Sequence, residues 1–312
     1  MCNFSFGDNM KSFVLEFKRE FWSILFLLFT ISLIIFSKSN IAAVKSSINI
    51  CINNIIPSLL PFFIATELLN KTDIPKIFGN LFHKIMRPAF NVPGIGAYAL
   101  FMGMMCGYPV GAKIVTDFRK NNLCTKEEAE RLITFTNNSG PLFILGTVGI
   151  TLFFDTGIGL LLLFTHILSS LTVGFIFRFW KRKRNSNNTV SLSNNISFNS
   201  LGEMLSTSIL SGIKSVVMIC GFVIFFSIVL SILKNAYVFD VLNVILSPVF
   251  NFLHIDTKFI TPIVTGIIEL TNGVNLVTSV TSKNLGINVI ITAFLLRIWW
   301  NLNNVTSFKY HF

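Results

Sequence analysis

Two short sequences decide the fold: GMMCGYPVGAK at residues 103–113 and FTNNSGP at residues 135–141. Both lie in the stretch from Pro93 to Ile150, which is apolar enough for a membrane but rich in helix-breaking Gly and Pro. Bare lipid does not tolerate unpaired backbone groups, so irregular backbone at membrane depth is buried in protein or lines a polar cavity. Interrupted apolar segments therefore predict a substrate site in a secondary transporter. Kinked but ordinary packing helices are the alternative, since Gly and Pro are common in membrane spans.

The composition places the chain among integral membrane proteins. Hydrophobic residues make up 52% of it and charged residues only 12%, whereas soluble domains carry about 25% charge. The net charge of +11 does not indicate nucleic-acid binding, because most Lys and Arg lie in short loops beside apolar segments, where they orient the protein. The five Cys show no C-x-x-C spacing, so we expect neither a disulfide framework nor a zinc site, and no cofactor.

The first half of the chain reads as a series of apolar segments with basic ends. Lys11, Lys18 and Arg19 predict a cytoplasmic N-terminus over residues 1–20, and Thr125 with Glu128 forms a capping box. The expected elements are a span at Phe21–Phe36, a kinked span at Ile41–Leu69, an interfacial helix at Ile74–Phe90, a re-entrant hairpin at Pro93–Asp117, a second broken segment ending at Phe154, a turn at Asp155–Gly157 and a span at Ile158–Trp180. The basic block Lys181–Arg184 also indicates the cytoplasm.

The second half repeats this plan after a polar linker at 185–200. Its expected elements are an amphipathic helix at Leu201–Ser215, a span at Val216–Leu233, an amphipathic helix at Ala236–Ile255 and a broken segment from Pro262 to Gly273. We therefore predict an all-α, multi-pass membrane protein with two broken or re-entrant segments. Its halves, 21–184 and 201–296, would form an inverted repeat.

The candidate binding residues lie in the broken segments. They are Gly107, Tyr108, Pro109, Lys113, Asn137, Asn138, Ser139, Glu269, Thr271 and Asn272. Lys113 is a candidate anion ligand near a half-helix N-terminus, or else an interfacial Lys that extends to the cytoplasm. Glu269 is a candidate proton carrier, a cation ligand or the ion-pair partner of Lys113. No catalytic motif is present, so we expect no enzyme, and the lone His166 reads as a packing residue.

Four motifs carry a resemblance to a known family: PSLLPFF at 57–63, GMMCGYPVGAKIVTDF at 103–118, LCTKEEAERLITFTNNSGPLFILGTVG at 123–149 and GIIELTNG at 266–273. The chain resembles the YlbJ family of sporulation integral membrane proteins, also called stage V sporulation protein V. The resemblance implies a nucleoside recognition, or gate, domain related to concentrative nucleoside transporters, and a place in the outer forespore membrane. It further implies movement of dipicolinic acid from the mother cell towards the forespore, and a part in forming the spore cortex.

The chain departs from the family pattern after Leu296. Where the family continues with Gly-Phe-Gly-Gly-Ser, this chain has Arg297-Ile298-Trp299-Trp300-Asn301. Trp is encoded only by TGG and Asn only by AAT or AAC, so reading Trp299-Trp300-Asn301 one nucleotide later gives Gly-Gly. We therefore expect residues 297–312 to be a frameshifted tail, arising in the gene or in its sequencing.

Three functions stay open on the sequence. The first is a transporter of a small anionic solute, with dipicolinate as the substrate that the resemblance implies. The second is a structural or assembly factor in the spore envelope, working with itself as a homo-oligomer or with other sporulation membrane proteins. The third is a transporter of nucleosides or another small solute. We expect the solute and the lipid bilayer as partners. We do not expect a nucleic-acid partner.

Overall fold

The computed structural model describes residues 6–181, 201–281 and 285–310, with side-chain surroundings for 20–181, 201–281 and 285–298. The expected linker at 185–200 and most of the basic block after Lys181 lie outside these ranges. The described residues fold into helices, with no strand among them. In chain order these are α1 Phe6–Ile35, α2 Ser37–Ile50, a π turn Cys51–Ile55, α3 Ile56–Asn70, α4 Ile74–Phe90, α5 Gly96–Cys106, α6 Val110–Lys120, α7 Lys126–Thr136, a π-helical segment Leu142–Leu152, α8 Thr156–Phe177, α9 Leu201–Asn235, α10 Val238–Phe252, a 3₁₀ turn Thr257–Phe259, α11 Ile260–Ile268, α12 Leu270–Ser279 and α13 Leu285–Tyr310.

Three of the described helices are long and apolar enough to cross a membrane. They are α8, α9 and the continuous helix Ser37–Asn70, which joins α2, the π turn and α3. About 20 helical residues cross the roughly 30 Å hydrocarbon core of a bilayer, and each of the three is longer than that. Their large apolar side chains are mostly exposed, as lipid-facing groups are. The expected span at Ile41–Leu69 is confirmed, although its helix begins earlier, at Ser37.

Helices α5 and α6 form a helical hairpin whose tip is Gly107-Tyr108-Pro109. The tip contains a cis Tyr108–Pro109 peptide bond, and Gly107 has a φ of 80°. The two arms come together through Gly103 and Gly111, because a Cβ atom added to Gly103 would lie 3.2 Å from the Cα of Gly111. The expected break in the helix is therefore confirmed.

Helix α7 begins at the predicted capping box and ends at the predicted second break. Thr125 caps α7 as the capping box predicts: its hydroxyl accepts from the backbone N–H of Glu128, and the Glu128 carboxylate accepts from that of Thr125. After α7 the backbone is irregular from Asn137 to Gly140, and from Pro141 it is helical again and continues as the π-helical segment. Asp155 caps α8 by accepting from two backbone N–H groups, so the expected turn at Asp155–Gly157 serves as a helix start.

The prediction of an amphipathic helix at Leu201–Ser215 and a separate span after it is wrong. A single helix of 35 residues covers both segments. No Pro lies between Leu201 and Asn235, so nothing interrupts the backbone hydrogen bonds at the boundary. The helix packs along α2 and α3. Helix α10 follows close to its expected bounds, with Pro248 inside it.

Helices α11 and α12 form a second hairpin, which breaks only at Glu269. The break lies inside the predicted broken segment from Pro262 to Gly273, and Gly266 and Gly273 themselves lie inside helices. They pack backbone to backbone, since a Cβ atom on Gly273 would lie 2.0 Å from the Cα of Gly266. The two glycines therefore join the arms of this hairpin, as Gly103 and Gly111 join those of the first.

Two hydrophobic cores hold the helices together. The first surrounds Tyr98 and Phe135 and draws on α3 to α7 with Val216 of α9. The second brings Ile144 of the π-helical segment and Leu162 of α8 against residues of α11 to α13. The break at Asn137–Pro141 is therefore the point where the chain passes from one core into the other. The inverted repeat stays a prediction.

Candidate solute-binding site at the helix breaks

The first two breaks are in direct backbone contact. A Cβ atom on Gly107, at the tip of the first hairpin, would lie 2.7 Å from the backbone nitrogen of Gly140 in the second break. The carbonyl oxygen of Thr136 lies just as close to the hairpin arms, 1.6 Å from an added Cβ at Gly103 and 2.1 Å from one at Gly111. Only glycine permits this approach. The structure thus brings the candidate residues of 107–109 and 137–139 into one place.

The polar side chains of the second break are almost completely buried. Asn137 and Asn138 are 0% and 1% exposed. The Asn138 Nδ2 donates to the carbonyl of Phe135 at 2.9 Å, whereas its Oδ1 is buried without a hydrogen-bond partner among the described residues. A buried polar atom without a partner is unfavourable by about 1–3 kcal/mol. Asn138 Oδ1 is therefore an acceptor available to a bound solute.

His166 belongs to this break, although the sequence indicates only a packing residue. The backbone N–H of Ser139 donates to the Nε2 of His166 at 3.2 Å. This assigns the proton to Nδ1, which is buried without a partner among the described residues. The sequence signal for this contact is a polar residue, His166, in the apolar span that directly follows a broken segment.

Lys113 lies one turn beyond the tip of the first hairpin and is held by two other helices. Its Nζ pairs with the Glu67 carboxylate of α3 at 2.5 Å and donates to the hydroxyl of Ser211 on α9 at 2.7 Å. Its ion-pair partner is therefore Glu67 rather than Glu269, which corrects that expectation. The side chain is 34% exposed and that of Glu67 is 15% exposed, so the pair lies at the edge of the first core.

Glu269 caps the half-helix that follows it. Its two carboxylate oxygens accept from the backbone N–H groups of Thr271 at 2.9 Å and Asn272 at 2.7 Å. The side chain is 5% exposed. A buried carboxylate needs such partners, and the positive end of a helix dipole stabilises it further. Thr271 and Asn272 enter this arrangement through their backbone nitrogens.

A cavity of about 280 Å³ opens beside the Lys113 ion pair, between α3, α4 and α6. Its walls include Glu67, Asn70 and Asp117. A narrower cleft adjoins it and is lined by Glu67, Asn70, Lys113 and Pro109. The cavity and the cleft share Glu67 and Asn70, and the cleft extends to Pro109 at the tip of the first hairpin.

Arg297 is the most poorly satisfied charged group in the described part of the chain. All three of its guanidinium nitrogens are buried without a hydrogen-bond partner there, and the charge is near enough to act on His166. An unpaired buried charge is strongly unfavourable. Arg297 is also the residue at which the sequence departs from the family pattern.

Charged residues of α7 tie it to its neighbours away from the breaks. Arg87 pairs with Glu128 at 2.8 Å, and Lys181 pairs with Glu130 at 2.9 Å. Arg131 donates to the backbone carbonyl of Trp180 at 2.8 Å. These contacts hold α4 and the residues that follow α8 against α7.

Residues 52–178 match the family model described as Gate: Nucleoside recognition, a range that contains both breaks of the first half. Over 289 residues the chain is 34% identical to sporulation integral membrane protein YlbJ of Bacillus subtilis strain 168, with 87% of this chain and 70% of the relative covered. The chain belongs to the YlbJ family of sporulation integral membrane proteins. The resemblance stated from the motifs is thus confirmed, and YlbJ membership makes this a sporulation-related integral membrane protein. No solved structure matches the chain.

Proposed function

We propose that the chain is a membrane transporter that moves dipicolinate from the mother cell towards the forespore across the outer forespore membrane. The observation that carries this proposal is the backbone contact between the two helix breaks at Gly107 and Gly140. The cation Lys113 lies one turn beyond the tip of the first hairpin, and the second break contains an amide oxygen, Asn138 Oδ1, that is buried without a partner among the described residues. A packing scaffold has no need of such groups, which are unfavourable in an apolar interior.

Dipicolinate suits these groups because it is a small planar dianion. Its carboxylates match the Lys113 ammonium and the N-terminal end of α6, which has no side-chain cap and where the helix dipole favours negative charge. The protonated Nδ1 of His166 provides a further donor at the second break. The remaining expectations form part of the same proposal: a cytoplasmic N-terminus, two halves related as an inverted repeat, and no catalysis.

A nucleoside is the second candidate substrate, and the family match over residues 52–178 favours it. An uncharged nucleoside would use the amides of Asn137 and Asn138 and would have little need of Lys113. Removal of the Lys113 charge should therefore impair transport of dipicolinate and leave transport of a nucleoside nearly unchanged.

The test is uptake of labelled dipicolinate by proteoliposomes that contain the full chain. We expect uptake that excess unlabelled dipicolinate abolishes and uridine leaves unchanged, and that Lys113→Gln lowers at least tenfold. Glu130→Gln, which removes a buried carboxylate charge of α7 away from the breaks, is the matched control and should transport normally. Inhibition by uridine together with uptake unaffected by Lys113→Gln would instead support the nucleoside. Protein that inserts correctly and transports neither would favour a structural or assembly factor.

A further inference from the structure

The Lys113–Glu67 ion pair joins three helices at a point where a solute would compete for the cation. Lys113 lies on α6, Glu67 on α3, and the hydroxyls of Ser211 and Ser215 on α9 accept from the same ammonium at 2.7 and 3.4 Å. The backbone N–H of Lys113 donates to the carbonyl of Pro109, so Lys113 belongs to the first turn of the helix that follows the break. Any anion that binds Lys113 must displace the Glu67 carboxylate or share the cation with it.

Glu67 also lines the 280 Å³ cavity. Asp117, one turn after Lys113 on α6, lines the same cavity. Burial and the nearby Glu67 charge raise the pKa of the Asp117 carboxyl, against the opposing effect of Lys113 and Lys120. Asp117 therefore binds a proton more readily than an exposed carboxyl does, and it lies next to Glu67.

The other groups around Glu67 come from each helix packed against α3. Lys71, which follows α3, and Lys76 of α4 line the cavity, and Lys71 also donates to the backbone carbonyl of Met204 on α9. On α5, Tyr98 interacts electrostatically with Glu67, and Cys106 contacts the hydroxyl of Thr66. The groups of α9 that reach the pair are the two serine hydroxyls. Of these described groups, Asp117 is the other carboxylate beside the pair.

We propose that the Glu67–Lys113 ion pair couples anion binding to proton uptake. This inference rests on the proposed function. A proton enters through the cavity by way of Asp117 and moves to the Glu67 carboxylate, which becomes neutral and releases Lys113. The ammonium keeps its own proton and pairs with a carboxylate of the entering anion. One proton is therefore taken up with each dianion, and the Lys113 ammonium exchanges the Glu67 carboxylate for a carboxylate of the solute.

The physical reason is that one ammonium stabilises one close carboxylate far better than two. Two carboxylates that share a site repel each other, and protonation of one of them relieves the repulsion. Anion binding should therefore favour protonated Glu67, and protonation of Glu67 should favour anion binding by the same factor, because coupling between two binding equilibria is reciprocal.

The test measures proton uptake when dipicolinate binds the purified full chain in lipid nanodiscs. Calorimetry in two buffers of different ionisation enthalpy gives the number of protons taken up per anion. We expect about one proton in the unaltered chain near neutral pH, and a Kd that weakens as the pH rises. Glu67→Gln mimics the protonated state, so it should bind without this proton and tighten the Kd at alkaline pH by about tenfold. Glu130→Gln, the same substitution in the pair with Lys181, should keep both the proton uptake and the pH dependence.

The outcomes separate this inference from the proposed function. Absence of dipicolinate binding by the unaltered chain would overturn both. Binding with no proton uptake, or with equal uptake in Glu67→Gln and the unaltered chain, would overturn the coupling and leave the transporter proposal standing. If Glu67→Gln does not fold, absence of proton uptake by the unaltered chain would still overturn the coupling.

Discussion

Substitution of Gly107 by Ala tests the contact on which the candidate site depends. Gly107 has φ 80° and ψ −174°, a backbone conformation that essentially only glycine adopts. Holding Ala there is unfavourable by about 1–3 kcal/mol. The added Cβ would also lie 2.7 Å from the backbone nitrogen of Gly140, and overpacking of this kind is unfavourable by about 1–3 kcal/mol more. We therefore expect a total loss of roughly 2–6 kcal/mol, or separation of the two breaks to avoid it.

The assay is thermal unfolding of the purified variant in detergent, together with dipicolinate binding. Gly221→Ala is the matched control, because Gly221 lies in α9 with nothing within 4 Å of an added Cβ. Ala is favoured over Gly in a helix by about 1 kcal/mol, so this control should be neutral or stabilising. A Gly107→Ala protein that unfolds and binds like the control would refute the contact between the breaks.

Three further predictions follow from other parts of the structure. Glu269→Ala removes the acceptor of two backbone N–H groups at the start of α12, so thermal unfolding should show a loss of about 1–2 kcal/mol; an unchanged midpoint would mean that the cap contributes nothing. Arg297→Leu removes a buried charge that has no hydrogen-bond partner among the described residues and should stabilise the protein by about 1–3 kcal/mol, whereas destabilisation would show that the guanidinium has a partner. The pKa of Asp117 is raised in the folded state, so the folded protein binds this proton more tightly than the unfolded chain does. The contribution of Asp117 to stability is therefore lost as the pH rises from the pKa of the unfolded chain to the higher pKa of the folded protein. Asp117→Asn should remove that part of the pH dependence, and parallel unfolding curves for the two proteins would contradict it.

The sequence predicts the helix breaks because their causes are local. Gly107-Tyr108-Pro109 cannot continue a helix, and Thr125 with Glu128 starts one through side chains only three residues apart. The same applies to α4, whose bounds Ile74–Phe90 agree with the expectation. Propensity, capping and Pro positions decide such features within a few residues.

The partners of the charged groups could not be predicted, because they come from distant parts of the chain. Lys113 of α6 pairs with Glu67 of α3, whereas the sequence offers Glu269 as the candidate partner. His166 contacts Ser139 only because α8 folds back along the second break. The sequence predicts a boundary after Ser215, which is wrong because α9 is continuous there. A change from amphipathic to apolar composition does not by itself interrupt a helix.

The most direct test of the transporter proposal is the location of dipicolinate in sporulating Bacillus subtilis that lacks its own YlbJ and expresses this chain. Dipicolinate is measured separately in the forespore and in the mother cell with the medium. We predict a filled forespore with the unaltered chain, and an empty forespore with dipicolinate accumulating outside it for a membrane-inserted Lys113→Gln variant. A forespore that stays empty with the unaltered chain, or fills equally with Lys113→Gln, would contradict the proposal.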